Sequence, residues 1–368
     1  MTVPSFSFNN IKIAGVASAV PTRVVRSSDY NEKYGTEAVQ KFVEMTGIKE
    51  HRATFEHQTA SDLGFAAAEK LLVEKEIDRD TIGILLFGAH STDDRRPATA
   101  AVLHKRLGLS RDCAAFDVGL GCSAFIYCTQ VAASMLECSD AKRALVIVGE
   151  TMTKMIYPED KSSVMLFGDG GAAVLLEKTE EDACLAGKVC TDGTGYRAII
   201  APAGGFRNME DSHEPMVWAD GSIRTLYNTN MNGTDVFSFT VTKVPKTIKE
   251  FLQETGQEVG QFDCLAFHQA NQFIQQQLAK KLKADPGRMP LCLDRYGNTS
   301  APAIPILLSD VYGNDESGTV INVLMCGFGV GLSWGVMSAH INTDDILPVI
   351  ETDDFFAEGV IHSPEDME

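Results

Sequence analysis

The sequence has few basic residues, with 32 lysines and arginines against 50 aspartates and glutamates and a formal net charge of −18. Because phosphate binding needs an excess of basic side chains, this balance argues against a protein that binds nucleic acid or anionic membranes. Part of the charge is local, since residues 344–368 contain acidic residues but no lysine or arginine. The net charge of the whole chain therefore overstates the acidity of the folded body.

The chain also lacks the spacings of metal sites and disulfide frameworks. Its nine cysteines are odd in number, scattered, and contain no C-x-x-C pair, which disfavours both. No apolar run reaches the length of a membrane span, and the N-terminal residues show neither the basic nor the apolar region of a secretory signal peptide. We therefore expect a protein of the reducing cytoplasm with no bound metal.

The remaining composition is typical of an α/β protein with a sizeable core, because 44% of the residues are apolar and 31 are glycine. Continuously apolar runs at residues 81–88 and 144–149 predict strands that are buried on both faces of a mostly parallel sheet. Residues 11–20 predict a first strand. An apolar face over residues 59–75 predicts a helix.

The second half of the chain repeats the order of the first, although the sequence identity is weak. Residues 258–268 resemble residues 76–90, since each has a polar turn, a buried strand and a loop that leads to a helix. Residues 319–327 likewise resemble residues 144–149. This order predicts two duplicated β/α halves around a shared core.

Two segments fall outside the repeated pattern. Residues 203–225 are rich in glycine, asparagine and charge, and predict a long surface excursion over a substrate entrance. For the acidic tail, solvated disorder is favoured, and docking of Phe355 and Phe356 onto the body is the alternative. The predicted domains are an N-terminal half (1–180), a C-terminal half (181–341) and the tail (342–368).

Glycines at 168, 170 and 171 form a turn with two interpretations. A phosphate-binding loop would be followed by Lys-Ser or Lys-Thr and would open a strand–helix unit, and neither is present. The pattern therefore favours a structural turn before a strand.

Three polar residues follow predicted strands and form the candidate catalytic set. Cys122 stands between a β-type run and a helical run, where free backbone N–H groups would lower a thiol pKa and favour a thiolate nucleophile. A buried structural cysteine is the alternative. His268 follows the strand predicted at 262–267, and a hydrogen-bonded scaffold residue is its alternative. Asn298 follows the strand predicted at 290–293, and a turn residue is its alternative. Because loops at this end of parallel strands converge, we expect the three to meet around one carbonyl-sized space.

The motifs around these residues resemble those of β-ketoacyl-ACP synthase III, a family of thiolase-like condensing enzymes. The resemblance runs from about Ile11 to about Ala339. It rests on the flanks of Cys122 and on Phe167–Gly170, Phe267–Asn271, Tyr296–Ser300 and Gly327–Gly335. It implies a five-layered αβαβα fold, a homodimer, and no cofactor beyond the acyl-CoA or acyl-ACP and malonyl-ACP substrates.

The resemblance also implies roles for the residues. Cys122 attacks an acyl thioester and holds the acyl group, with the backbone N–H groups of Cys122 and Val330 as its oxyanion hole. His268 and Asn298 bind the carbonyl oxygen of malonyl-ACP and stabilise the enolate that forms as CO2 leaves. The enolate carbon then attacks the acyl-cysteine. His268 would act as a neutral donor.

The sequence departs from the family pattern at several substrate positions. Val330 stands where the family has a glycine, which affects the shape of the acyl pocket. The tryptophan and arginine that bind the CoA adenine are missing, and Lys161 occupies the later position, so an acyl-ACP donor becomes plausible. Lys280 and Lys281 form a candidate basic patch for ACP, and an ordinary solvated helix end is the alternative.

Arg96 precedes Pro97, where the family often has an apolar residue that reaches into the partner subunit's acyl pocket. One hypothesis is a short polar or carboxylated acyl group, and the alternative is a surface or interface arginine. The reaction also has alternatives: transfer of the acyl group to an amine or hydroxyl without condensation, or a catalytically silent partner subunit. The presence of Cys122, His268 and Asn298 favours condensation, in primary fatty-acid synthesis or in a specialised pathway.

Overall fold

The structure is a computed structural model that describes residues 5–181 and 183–367. The N-terminal residues 1–4 of the first predicted half lie outside the described residues. The strands are β1 (Ser5–Phe8), β2 (Ile11–Pro21), β3 (Val24–Arg26), β4 (Glu50–Arg52), β5 (Ile82–Gly88), β6 (Ala114–Val118), β7 (Arg143–Thr151), β8 (Asp169–Lys178), β9 (Leu185–Thr191), β10 (Ile199–Ile200), β11 (Met216–Val217), β12 (Ile223–Arg224), β13 (Asn230–Met231), β14 (Cys264–Phe267), β15 (Val320–Gly329), β16 (Ser333–Asn342) and β17 (Ile350–Thr352). The helices are α1 (Asn31–Tyr34), α2 (Thr36–Thr46), α3 (Ala60–Glu74), α4 (Thr99–Arg106), α5 (Ala124–Glu137), α6 (Met152–Met155), α7 (Gly233–Thr255), α8 (Gln272–Leu282), α9 (Leu293–Tyr296) and α10 (Ala303–Tyr312).

Two large sheets and three helical layers build the fold. The first sheet has the order β17-β2-β8-β7-β5-β6, and the second has the order β1-β9-β16-β15-β14. Helices α5 and α10 lie between the sheets, where their apolar residues join those of both sheets in one core. Helices α3 and α4 cover the outer face of the first sheet, and α7 and α8 cover that of the second. The predicted five-layered αβαβα fold is confirmed.

The two sheets show the duplication directly. In the first, β2, β8, β7 and β5 are neighbours, with two antiparallel pairs followed by a parallel pair. In the second, β9, β16, β15 and β14 have the same order and the same directions. The two ends of the chain each add a strand to a sheet of the other half. Strand β1, near the N-terminus, joins the second sheet, and β17, near the C-terminus, joins the first.

The C-terminal tail is folded onto the body, so the prediction of solvated disorder is wrong and the docking alternative holds for Phe356. Strand β17 pairs in parallel with the end of β2. Phe356 donates its backbone N–H to Asp62 Oδ1 at 2.9 Å, and its ring lies 4.7 Å from the Arg106 guanidinium. The acidic composition predicted disorder, but buried Ile346 and Leu347 supply enough apolar contact to anchor the segment.

The excursion at residues 203–225 is anchored by a buried arginine. The hairpin of β11 and β12 exposes most of its side chains. Arg224, at the end of β12, is fully buried and pairs with Asp160, with Nε 2.6 Å from Oδ2. The sequence pattern did not predict this contact, because the two residues lie 64 positions apart. In the described part of the chain, no helix has the length and hydropathy to cross a membrane.

Candidate active site

Cys122 lies in the turn between β6 and α5, and its side chain is buried. Helix α5 begins at Ala124, with Ser123 at its N-cap position. The sulfur lies 3.4 Å from Ser300 Oγ, and the backbone N–H groups of Cys122 and Val330 both donate toward it. The two N–H groups predicted as an oxyanion hole therefore converge at the nucleophile.

A glycine opposite Cys122 makes room for this arrangement. A Cβ atom at Gly329 would lie 2.8 Å from Cys122 Sγ, closer than real Cβ atoms approach their neighbours. The next residue, Val330, donates its backbone N–H to the sulfur and also lines the cavity. The valine that departs from the family pattern thus keeps its N–H in place.

Burial raises the pKa of the Cys122 thiol to about 11. The hydrogen bond with Ser300 acts in the opposite direction, and the nearby Glu150 carboxylate raises the pKa further. The prediction of a lowered thiol pKa is therefore wrong for the unacylated protein. Position near a helix N-terminus predicts a thiolate, whereas desolvation of the enclosed sulfur is the largest cause of the shift in its pKa.

The raised pKa predicts the pH dependence of alkylation. Below a pKa of about 11, the fraction of Cys122 present as thiolate rises about tenfold with each pH unit. Because the thiolate is the reactive form, the rate of Cys122 modification by iodoacetamide should rise steadily from pH 6 to pH 10. Peptide mass spectrometry after timed alkylation measures this rate at Cys122 alone. A plateau that begins below pH 8 would contradict the assignment of a neutral thiol.

His268 follows directly after β14 and points into the same region. Its backbone N–H donates to the carbonyl oxygen of Cys326 at 2.8 Å, and its ring meets Phe328 edge-on, with 5.2 Å between centroids. Burial lowers the pKa of His268 to about 3, opposed only in part by a hydrogen bond to the backbone of Ser300. The imidazole is therefore neutral at physiological pH, in agreement with the prediction for a neutral donor.

Asn298 reaches the site from a loop rather than from a strand. The strand predicted at residues 290–293 is absent; the segment is irregular up to α9. Pro290 has no N–H for a strand ladder, and Cys292 donates its N–H to Gln269 Oε1 at 3.2 Å. Asn298 Oδ1 accepts the Ser300 N–H at 3.0 Å, and no described residue accepts from its side-chain nitrogen, which leaves that nitrogen to a ligand.

The glycine turn at 168–171 holds the Asn298 loop, which agrees with its structural interpretation. Gly168 donates its N–H to Asn298 O at 3.0 Å, and Asn298 donates to Leu166 O at 2.9 Å. A Cβ atom at Gly168 would lie 2.1 Å from the carbonyl oxygen of Tyr296, so only glycine fits. The next residue, Asp169, is buried and accepts hydrogen bonds from the backbones and hydroxyls of two threonines, which fixes the start of β8.

One cavity of about 440 Å³ brings the candidate catalytic residues together. Cys122, His268 and Asn298 all line it, together with His90 and Val330. No lysine or arginine of the described residues lines the cavity. The apolar part of its wall includes Met152, Met155, Phe167, Ile199, Ile200, Met231, Phe237, Phe273 and Phe328.

The other predicted site residues lie outside this cavity. Arg96 is exposed, and Lys280 and Lys281 are exposed at the end of α8. Lys161 is exposed as well, with Nζ 5.7 Å from the centroid of the Tyr34 ring. Within residues 5–181 and 183–367, no three His, Cys, Asp or Glu side chains are grouped so as to hold a metal ion.

Sequence reasoning missed two residues of the site. His90 follows β5 just as His268 follows β14, so the rule that found His268 could have found it as well. Ser300 belongs to the loop already singled out for Asn298, but only the folded chain shows that its hydroxyl meets Cys122.

Together, the five-layered fold and the cysteine, histidine and asparagine around one cavity define a thiolase-like enzyme of the acyl-cysteine class. The family model for 3-oxoacyl-[acyl-carrier-protein] synthase III matches residues 116–193, and the model for its C-terminal part matches residues 252–341. Both matched segments contain catalytic candidates.

Whole-chain comparisons agree. The β-ketoacyl-[acyl-carrier-protein] synthase III of Desulfitobacterium hafniense (strain Y51) is 33% identical over 327 residues, which are 89% of this chain and 96% of that protein. The enzyme of the same name from Serratia proteamaculans is 32% identical over 88% of this chain and 97% of that protein. A crystal structure of 3-oxoacyl-(acyl-carrier protein) synthase from Burkholderia xenovorans LB400 superposes with a TM-score of 0.89 at 34% identity, covering 95% of this chain and 99% of that one. The chain belongs to the β-ketoacyl-[acyl-carrier-protein] synthase III family.

Proposed function

We propose that this chain condenses an acyl group, carried on Cys122, with malonyl-ACP to give a β-ketoacyl-ACP and CO2. The observation that supports the proposal is the single cavity that Cys122, His268 and Asn298 share. An acyl-enzyme condensation requires a nucleophile and neutral hydrogen-bond donors that face the same cavity.

Acylation uses the sulfur and the two backbone N–H groups. Cys122 Sγ forms a bond to the thioester carbonyl carbon, and the bond to the donor's sulfur breaks. The negative charge that develops on the carbonyl oxygen is stabilised by the N–H groups of Cys122 and Val330, which already converge at the sulfur. No metal or cofactor takes part in the proposed step.

Condensation uses His268 and Asn298. As malonyl-ACP loses CO2, charge develops on its thioester oxygen, and an imidazole N–H and an amide N–H stabilise it. Since burial holds the pKa of His268 near 3, the ring stays neutral and donates without first having to lose or gain a proton. The enolate carbon then attacks the acyl carbonyl, and the Cys122 thiolate leaves.

Release of labelled CO2 from malonyl-ACP by the acylated enzyme tests this function. Condensation predicts CO2 and β-ketoacyl-ACP in equal amounts, both lost in Cys122→Ala. The alternative of acyl transfer to an amine or hydroxyl predicts deacylation by the acceptor without CO2. An acylated enzyme that never releases CO2 would contradict the condensation proposal.

The cavity lining supports an apolar acyl group. Its walls carry methionine, isoleucine and phenylalanine side chains, and no lysine or arginine of the described residues reaches them. The hypothesis of a carboxylated acyl group, which rested on Arg96, therefore has no support in this chain's own cavity. Lys161 is one exposed positive charge that can meet a phosphate of the acyl donor, without the tryptophan and arginine that bind the CoA adenine in the family. We therefore propose that either acyl-ACP or acyl-CoA is the donor.

A homodimer is part of the proposal. Strand β6 is the last strand of the first sheet, and its outer edge has no strand partner among the described residues. Ala114 and Phe116 on this strand are exposed. Pairing of two β6 edges would cover both. Light scattering should then give the mass of two 39.9 kDa chains.

The basic patch at the end of α8 predicts an effect on ACP docking. Helix α8 begins beside the cavity, where Phe273 and Ile274 line it, and Lys280 and Lys281 are exposed at its other end. Because ACP is acidic, the double change of both lysines to glutamate should raise the KM for malonyl-ACP on the order of tenfold and leave kcat unchanged.

Steady-state kinetics with malonyl-ACP measure both constants. The double change of Lys246 and Lys249, two exposed lysines on α7, to glutamate is the matched control for the change in total charge. An unchanged KM in the double variant, or an equal rise in the control, would contradict a docking role for Lys280 and Lys281.

A further inference from the structure

The hydroxyl of Ser300 lies against the nucleophile. Its Oγ is 3.4 Å from Cys122 Sγ, within hydrogen-bond reach of a sulfur atom, and both side chains are buried. Both residues line the cavity. Among the described residues, no other group makes a hydrogen bond with this hydroxyl. Its hydrogen therefore has one acceptor in the folded chain, which is the sulfur.

The backbone of Ser300 is held in a conformation that fixes the hydroxyl. Its φ angle of 59° lies in the left-handed region, which residues with a side chain adopt infrequently. The Ser300 N–H donates to Asn298 Oδ1 at 3.0 Å, and the Ser300 carbonyl oxygen accepts the Ala303 N–H at 3.3 Å. Because such a conformation persists only where surrounding contacts determine it, the loop itself sets the position of the hydroxyl.

Two glycines leave room for the sulfur and the hydroxyl to meet. A Cβ atom on Gly121 would lie 3.3 Å from Ser300 Oγ, and one on Gly329 would lie 2.8 Å from Cys122 Sγ. The first distance is tight enough to push the hydroxyl away, and the second is closer than real Cβ atoms approach their neighbours. The absence of side chains at both positions therefore keeps the hydroxyl beside the sulfur.

An enclosed thiolate depends on hydrogen-bond donors from the protein. Cys122 is 8% exposed, so water cannot surround its sulfur. In the proposed acylation the backbone N–H groups of Cys122 and Val330 stabilise the carbonyl oxygen of the incoming thioester, which leaves the Ser300 hydroxyl as the donor to the sulfur. A thiolate has no hydrogen to donate, so in its reactive form the sulfur accepts from the hydroxyl.

We propose that Ser300 is a catalytic hydrogen-bond donor to the nucleophile, an inference that rests on the proposed function. Its hydroxyl donates to the Cys122 thiolate and stabilises the negative charge, in addition to the effect of helix α5, which begins at Ala124. The bond from the sulfur to the acyl carbon forms, and the donor's sulfur leaves as a thiolate. The hydroxyl keeps its proton throughout.

Replacing Ser300 with alanine and, separately, with glycine tests the proposal. Both variants lack the hydroxyl, but glycine adopts the φ angle of 59° freely, whereas alanine does not. Because each variant loses a hydrogen bond to a charged group, alkylation of Cys122 by iodoacetamide and single-turnover acylation should each slow on the order of tenfold, equally in the two variants. Peptide mass spectrometry measures the alkylation, and intact mass measures the acylation.

Release of labelled CO2 separates loss of the hydroxyl from damage to the loop. Both variants keep the backbone N–H that holds Asn298, so CO2 release from malonyl-ACP should be unchanged once Cys122 has been fully acylated. Ser309→Ala is the matched control, because it removes a buried hydroxyl that contacts Ser18 Oγ at 3.0 Å. That variant should acylate at the normal rate.

Normal alkylation in both Ser300 variants would overturn the inference. A loss in Ser300→Ala that Ser300→Gly recovers would also overturn it, as would a fall in CO2 release equal to the fall in acylation, since both results assign the effect to the backbone. Absence of acylation in the unaltered enzyme would instead overturn the proposed function. Alkylation needs no acyl thioester, so it tests the hydroxyl in either case.

Discussion

Replacing His268 with alanine is expected to reduce CO2 release from malonyl-ACP on the order of a hundredfold or more, while acylation of Cys122 proceeds at close to the normal rate. The separation follows from the positions of the donors. The backbone N–H groups of Cys122 and Val330 converge at the sulfur, and in the proposed mechanism they stabilise the acylation transition state. His268 and Asn298 line the same cavity, and in the proposed mechanism they act on the malonyl thioester.

Replacing Asn298 with alanine should reduce CO2 release by a similar factor, because in the proposed mechanism both donors act on the malonyl thioester oxygen. The double variant should be only slightly slower than either single variant, since the two residues work as a unit. Acylation is followed by intact mass and decarboxylation by labelled CO2, in the same preparation. His340→Ala serves as the control for loss of an imidazole away from the cavity.

A result in which His268→Ala abolishes acylation but leaves decarboxylation unchanged would contradict this division of roles. It would make His268 the partner of the thiol instead of the donor to the malonyl group. The low pKa of His268 argues against that outcome, because a ring with a pKa near 3 is a weak proton acceptor.

Replacing Arg224 with leucine is expected to destabilise the fold by about 3 to 5 kcal/mol, the usual cost of leaving one member of a buried ion pair without its partner. Arg224 is fully buried, and its guanidinium contacts Asp160, Asp220 and Asn230 at 2.6 to 2.7 Å. Its loss leaves the Asp160 carboxylate buried without a cation.

Chemical denaturation with matched variants measures this effect. Arg207→Leu, an exposed arginine in the same excursion, should change the free energy of unfolding by less than about 0.5 kcal/mol. Adding Asp160→Leu to Arg224→Leu should recover part of the loss, because the uncompensated carboxylate is then gone. Equal stability of Arg224→Leu and Arg207→Leu would show that the buried pair does not hold the excursion.

Local patterns predicted the parts of this molecule that depend on local order. The apolar runs before Cys122 and His268 became β6 and β14, and the repeat became two sheets with matching strand directions. Asn298 was found from its loop motif, although the strand predicted before it is absent, since a short apolar stretch that contains a proline does not by itself define a strand.

The features that the sequence did not predict depend on contacts between distant residues. The thiol pKa follows from how completely the fold encloses Cys122, which its neighbours in sequence do not reveal. Arg224 looks like one polar residue of a surface segment until Asp160 meets it. The tail looks solvated until the end of β2 offers it a strand partner.

In the proposed reaction, Cys122 holds the acyl group that malonyl-ACP then removes by condensation. Intact-mass measurement after incubation with a panel of acyl thioesters, followed by addition of malonyl-ACP, is the most direct test. We expect an apolar acyl group to appear on the protein, to map to Cys122, to be absent in Cys122→Ala, and to leave as β-ketoacyl-ACP when malonyl-ACP is added. An acyl group on another residue, or one on Cys122 that malonyl-ACP never removes, would contradict the proposed reaction.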